Sequence, residues 1–346
     1  MPVITVKKPA QSPYLSLRTA LWLYFFVLIG TAAVIIGLSQ YVDPTFLQLI
    51  IALVFPAGLT AFVIYRTRTS LAALIGRPPE VISLLASVGV GFFLGGLALW
   101  LNFLVYNWLE TNVGALPPPL ESNVILFSLI LQSVAIIPIS QGLLFWAVIQ
   151  RSASGLGRIA SIVLLAALFA MYSLFSSVAN LGITVIPSAF IVGLIAALAI
   201  SYTDCVWYGV IITASYNFFW VCFQNGLLGI SGAIGRYLGA DGGNLLSIRW
   251  LFLIIVATFL AFIMLQVIRM RAPAERDDNP PAPTKAFWTL PLVLSILFIL
   301  FAGYAEISLR KPNLAVKSGI TQLPGINTNS SGSTIPPVPA TAVPPK

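Results

Sequence analysis

Residues 138–150 read PISQGLLFWAVIQ and lie inside an apolar run that extends from 122 to 149. A bilayer crossing takes about 20 apolar residues, so this run is long enough to span. Yet Pro138, Ser140, Gln141 and Gly142 fall within a turn and a half. An amide left without a partner in hydrocarbon costs roughly 2–7 kcal/mol. Gln141 therefore meets a partner inside the protein or serves a site.

The rest of the chain has the same character. Of 346 residues, 58% are hydrophobic and only 8% charged, against about 25% charged in a soluble domain. The expected fold is an all-α polytopic membrane protein with about nine transmembrane helices. The apolar segments are 19–39, 45–65, 81–106, 122–149, 159–181, 184–201, 205–228, 250–268 and 286–307, the sixth being short. Residues 1–18 form a basic N-terminal segment, and the first span reads as a signal anchor because no small-residue cleavage site follows it. The spans divide into an N-terminal set (19–121), a central set (122–230) and a C-terminal set (231–310). Residues 311–346 are rich in Pro, Ser and Thr and are expected to form a disordered arm.

The net charge is +8. The cations cluster at the ends of apolar segments, so topology explains them and nucleic-acid binding is not expected. With the N-terminus in the cytoplasm, 12 of the 18 Lys and Arg residues fall on inner segments and 6 on outer ones. That bias orients the N-terminus inward, and nine spans then put the C-terminus outside. Cys205 and Cys222 are 17 positions apart, or roughly 25 Å along one helix, too far to bridge.

Polar residues within the spans fall into three periodic stripes. Ser133, Ser140 and Gln141 share a face of the fourth span. Ser173, Ser176, Ser177 and Asn180 share one on the fifth, and Thr213, Asn217 and Gln224 one on the seventh. The simplest arrangement turns the stripes toward one another, around a cavity or as a hydrogen-bonded seam worth about 0.6 kcal/mol per contact. Ser87, Gly91 and Gly95 repeat every four residues on the third span, a small face for close helix packing.

The order of these positions resembles the CPBP intramembrane proteases, the family of CAAX-processing and bacteriocin-immunity (Abi) proteins. PISQGLLFWAVIQ is similar to that family's first motif, Pro-x-x-Glu-Glu-Leu-Leu-Phe-Arg-Gly. Leu143, Leu144 and Phe145 match, while Gln141 and Gly142 stand at the glutamate pair and Trp146 at the arginine. LLAALFAMYSLF resembles the second motif, Phe-x-x-x-His, with Phe169 matched and Ser173 at the histidine. The passage ending TASYNFF resembles the third, His-x-x-x-Asn, with Asn217 matched and Thr213 at the histidine. The likeness covers about residues 122–230 and implies a CPBP-protease-like helical core.

It also implies a lost activity. The family is thought to activate water with glutamate beside histidines that hold metal or support an oxyanion. Gln141 cannot accept a proton near neutral pH, Ser173 and Thr213 are not usual zinc ligands, and the chain has no histidine. No Lys or His within a span can activate a serine. No catalytic residue, metal or cofactor is expected. Gln141, Phe145, Phe169, Tyr172, Ser173, Thr213 and Asn217 remain as a candidate binding pocket, walled also by Trp146. It is either collapsed or open to a peptide backbone, a polyprenyl head or a quinone.

Three functions follow as alternatives. The first is an inactive scaffold or assembly subunit for another membrane protein or a lipidated (prenyl) ligand. The second is a transporter or lipid- or quinone-binding component, suggested by Pro56, Pro138, Pro187 and Pro291 as helix breakers. The third is an endopeptidase of unrelated mechanism. The bacterial plasma membrane is the expected location.

Overall fold

The computed structural model describes residues 15–39, 41–113, 126–176, 182–238, 245–272 and 289–320, with 110–113, 176 and 306–320 by backbone only. Every regular element among them is a helix. We number these α1 (Leu17–Leu38), α2 (Pro44–Thr67), α3 (Leu71–Ile75), α4 (Val81–Val113), α5 (Leu126–Leu156), α6 (Arg158–Ser176), α7 (Gly182–Thr203), α8 (Val206–Gln224), α9 (Leu227–Leu238), α10 (Ile248–Met270) and α11 (Thr289–Ile320).

Among the described residues, eight helices are long and apolar enough to cross a membrane: α1, α2, α4, α5, α6, α7, α8 and α10. The expected sixth span is long and apolar enough for a full crossing, the 22 residues of α7. The ninth is less complete. Its apolar part within the described side chains is Thr289–Ala305, below the length of a crossing. The helix itself continues to Ile320, past position 311 where an irregular arm was expected. Residues 306–311, EISLRK, are compatible with helix, and the helix runs on through Pro312 and Gly319, for which composition gives no reason. Residues 321–346 lie outside the described residues.

Large apolar side chains face outward along these helices, Phe252, Ile255, Phe259 and Phe262 on α10 and Leu297, Leu300 and Phe301 on α11 among them. Such a surface has hydrocarbon as its solvent. The chain is an integral membrane protein of all-α type.

The small face of α4 packs within the molecule. A Cβ on Gly91 would lie 2.2 Å from the Ile212 carbonyl oxygen, and one on Gly95 would lie 2.3 Å from the Phe219 ring. Ser215 Oγ donates to the Val88 carbonyl at 2.6 Å across the same contact. One core runs from α1 through α5–α8 to α11. A second, around Leu99, Phe219, Leu238 and Trp250, ties α4, α8, α9 and α10 near the other end.

One membrane face is closed by a polar latch. The residue after α7, Asp204, has φ 58°, and Gly76 after α3 has φ 79°. The two turns meet in an isolated bridge between Gly76 and Cys205. Arg151, late in α5, forms an ion pair with Asp204 and also donates to the Asp204 carbonyl at 3.0 Å and the Leu74 carbonyl at 3.4 Å. Arg271 pairs with Glu80 on the same face. Cys205 and Cys222 are both free and buried, and burial pushes the Cys205 thiol up.

Candidate functional site

The site is built on an irregular stretch of α5. Its backbone passes from π-helix (Gln132–Ile136) to α-helix (Ile137–Gln141) and back to π-helix (Gly142–Ile149). Proline explains the first break. Pro138 has no N–H, and the Ile137 N–H reaches the Gln132 carbonyl, five residues back. The Ser133 carbonyl is thereby left without a helical donor, since its α-helical partner has moved and its π-helical partner is Pro138. Asn217 on α8 fills the gap, its Nδ2 donating to Ser133 O at 2.8 Å. The matched asparagine thus has a structural occupation.

Pro56 sits likewise inside a π-helical segment of α2, Leu53–Leu59. Pro187 lies within the continuous α7 and Pro291 within the first turn of α11. The four prolines expected as helix breakers are absorbed without a broken helix.

Gln141 is buried, and it lines a cavity of only about 10 Å³ with Gln48, Ile51, Ala52, Ile137, Ser140, Tyr172 and Phe175. That is room for about one water. Gly142 has no space for a side chain, because a Cβ there would lie 2.4 Å from Val210 Cγ2 on α8. Trp146 is fully buried, with its ring centroid 5.2 Å from that of Phe169. A Cβ on Gly209 would lie 3.1 Å from Trp146 Cγ, so α8 passes close against the indole. Phe145 makes an edge contact with Phe169 at 5.3 Å and packs on Tyr172 at 5.5 Å and Tyr24 at 6.0 Å. The Trp146 indole N–H is buried with no hydrogen-bond partner.

Three hydroxyls of the stripes turn onto their own helices. Ser173 Oγ donates to Ala170 O at 2.6 Å, Thr213 Oγ1 to Gly209 O at 2.9 Å and Ser140 Oγ to Ile137 O at 2.8 Å. Gln141, Gly142, Phe145, Trp146, Phe169 and Tyr172 therefore form one packed centre between α5, α6 and α8. Asn217 stands apart from it on Ser133, and Gln224 is exposed at the end of α8. Ser177 and Asn180 lie outside the described residues.

Several contributors were not anticipated. Gln132 Nε2 donates to the Thr45 carbonyl at 2.7 Å and Gln150 Nε2 to the Ala197 carbonyl at 2.9 Å. Tyr24 on α1 donates to the Leu168 carbonyl at 2.8 Å. An in-span glutamine is a sequence signal as strong as Gln141 itself, so Gln132 and Gln150 were accessible to the same argument. Gln48 and Tyr24 come from spans outside the apparent core.

The centre holds amide and hydroxyl groups, which exchange hydrogen bonds but cannot take a proton from water near neutral pH. Among the described residues no three of His, Cys, Asp and Glu gather in metal-holding geometry. The carboxylates of Asp204 and Glu80 are paired with arginines at the membrane face.

A second, open depression of about 510 Å³ lies beside the end of α2. Ala61, Ile64, Tyr65, Arg68, Thr69, Leu71 and Leu143 line it.

In comparisons with known proteins, no protein-family model, no curated protein and no solved structure matches this chain.

Proposed function

We propose that this chain is a proteolytically inactive relative of the CPBP intramembrane proteases that works as a binding, scaffold or assembly subunit in a bacterial plasma membrane. The observation that carries this reading is the filled centre. Where the resembled motif has a glutamate pair and an arginine, Gln141 faces a space for one water, Gly142 abuts Val210 and Trp146 is sealed among aromatic rings. Such a centre favours rigidity over turnover. The N-terminus is taken as cytoplasmic on the bias of Lys and Arg, and the C-terminus as extracytoplasmic from an odd number of spans.

The test is gentle extraction of the tagged protein from its own membrane, followed by mass spectrometry of what stays bound. A stoichiometric protein partner is the expected result. A chain that emerges alone overturns the scaffold reading, and metal-dependent cleavage of a lipidated peptide by the pure protein overturns the inactivity.

One observation favours a second reading, a lipid- or quinone-binding component. The depression at the end of α2 is lined mostly by apolar groups, carries Arg68 and is far larger than the central cavity. Retention of one defined lipid or quinone, lost on replacing Leu143 with Trp, would support it. Flux through liposomes would move the reading on to transport.

A further inference from the structure

The face that carries the latch also holds Arg158 and Arg269, and neither has a carboxylate partner among the described residues. Arg158 opens α6, and its guanidinium carbon lies 4.5 Å from the centre of the Tyr202 ring. Arg269, in the last turn of α10, lies 5.6 Å from the same centre. The two cations are therefore separated by no more than the sum of those distances. Both residues are exposed. Arg158 also donates through Nε to Ser201 Oγ at 3.3 Å. On the same face Arg151 and Arg271 are each answered by a carboxylate, Asp204 and Glu80. Two cations without a carboxylate partner among the described residues are thus brought together on one tyrosine.

A second feature points the same way. Helix α6 starts directly after Gly157, whose φ is +88°, and its first backbone bond is Ser161 N–H to Gly157 O at 3.0 Å. The N–H groups of Arg158, Ile159 and Ala160 precede that bond and have no acceptor in the helix. The positive end of the helix dipole adds to the two guanidiniums. Immediately beyond, the flank of α6 is apolar and open, with Ile159 79% and Val163 45% exposed. Cationic donors at the helix mouth, followed within one turn by exposed apolar side chains, match an amphiphile with an anionic head.

We propose that Arg158, Arg269, Tyr202 and the N-terminus of α6 form a binding site for the phosphodiester headgroup of an anionic phospholipid, whose chains run along Ile159 and Val163. Guanidinium is the cation best shaped for phosphate oxygens, and basic pockets between helix ends at a membrane face recognise such headgroups. The site uses none of the residues of the packed centre and stands independently of the functional reading above.

The test is native mass spectrometry of the full chain in mild detergent, titrated with phosphatidylglycerol or with phosphatidylcholine of the same chains. The wild type is expected to retain phosphatidylglycerol in preference. Arg158→Gln combined with Arg269→Gln is expected to lower that retention about tenfold, while Arg236→Gln, on the α9 segment, leaves it unchanged. Each single variant is expected to show an intermediate loss, which keeps the test readable if the double variant does not survive extraction. Equal retention of the two lipids, or undiminished retention in the variants, overturns the proposal. Displacement of phosphatidylglycerol from the wild type by millimolar inorganic phosphate also overturns it, and marks a site for soluble anions instead.

Discussion

Asn217 and Trp146 illustrate opposite solutions to a polar group in a membrane interior. Asn217 satisfies a carbonyl that Pro138 orphans, and the alternative for that carbonyl is hydrocarbon. Asn217→Ala is therefore expected to cost about 1–3 kcal/mol, the penalty of a buried unsatisfied group, read as a lower unfolding midpoint in detergent. The coupling is specific. Pro138→Ala restores an N–H within reach of Ser133, so Asn217→Ala should cost less in that background, and a double-mutant cycle measures the difference. Additive losses would mean that Pro138 is not the cause. Trp146 has the reverse problem, an N–H with no acceptor inside a well-packed ring cluster. Trp146→Ala should cost about 3–5 kcal/mol through lost packing. Trp146→Phe removes the unpaired donor along with part of the ring, so its cost should be well under half of that. An equal loss in both would place the value of the residue in its full volume alone.

At the level of elements, the turns after α3 and α7 are held by backbone contact more than by charge. Asp204 is half exposed while Arg151 is nearly buried. An exposed ion pair contributes about 0.2–1 kcal/mol, and neutralising Asp204 by Asp204→Asn should cost no more than that. Gly76→Ala should cost more. A Cβ there would sit 2.0 Å from the Asp204 carbonyl oxygen and 2.3 Å from Arg151 Nη2, on a backbone with φ +79°. With ψ −148° this is a conformation open essentially to glycine alone, which costs an L-residue about 1–3 kcal/mol, and the clash adds to it. Thermal unfolding of the two variants ranks these effects, and a larger loss in Asp204→Asn would make the ion pair the principal fastener. The sequence carries the elements far better than it carries such joints. Spans were legible because a bilayer demands long apolar runs, and Ser87, Gly91 and Gly95 were legible because close packing demands small residues at a fixed step. The latch joins residues 53 positions apart in the chain, and no periodicity reports it. The π-helical segments shift the register of α5, so Ser133, which shares a face with Ser140 and Gln141 on an ideal helix, does not join them on the wall of the central cavity. Gln48 and Tyr24 reach the centre because α1 and α2 pack onto it, which is a tertiary fact.

Across the whole molecule, charge and contact agree on which helix ends share a face. Arg151 touches the end of α3 and the turn after α7, Arg271 pairs with Glu80, and Arg158 and Arg269 meet at Tyr202. The ends of α3, α5, α7 and α10 and the starts of α4 and α6 therefore lie together. At the other end Trp100 Nε1 donates to the Leu245 carbonyl at 2.9 Å and Arg249 to those of Tyr237 and Leu238, joining α4 and α9 with the start of α10. Helices α4, α8 and α10 run between these two faces and are long and apolar enough to cross, so the faces are expected on opposite sides of one membrane. The arginine-rich face is the cytoplasmic one if the general bias of positive charge holds. Cysteine labelling in intact cells tests this. The two native thiols are buried, so they should stay silent, and replacing both with Ala leaves a clean background. A cysteine at Ser154 is expected to resist a membrane-impermeant maleimide until the cells are opened, whereas one at Ser231 is expected to react from outside. The reverse pattern inverts the topology. The same reagent decides α11, whose apolar part is short. A cysteine at Ser330 that labels from outside requires a ninth crossing by α11, while one that labels only after lysis leaves eight crossings and both termini on one side.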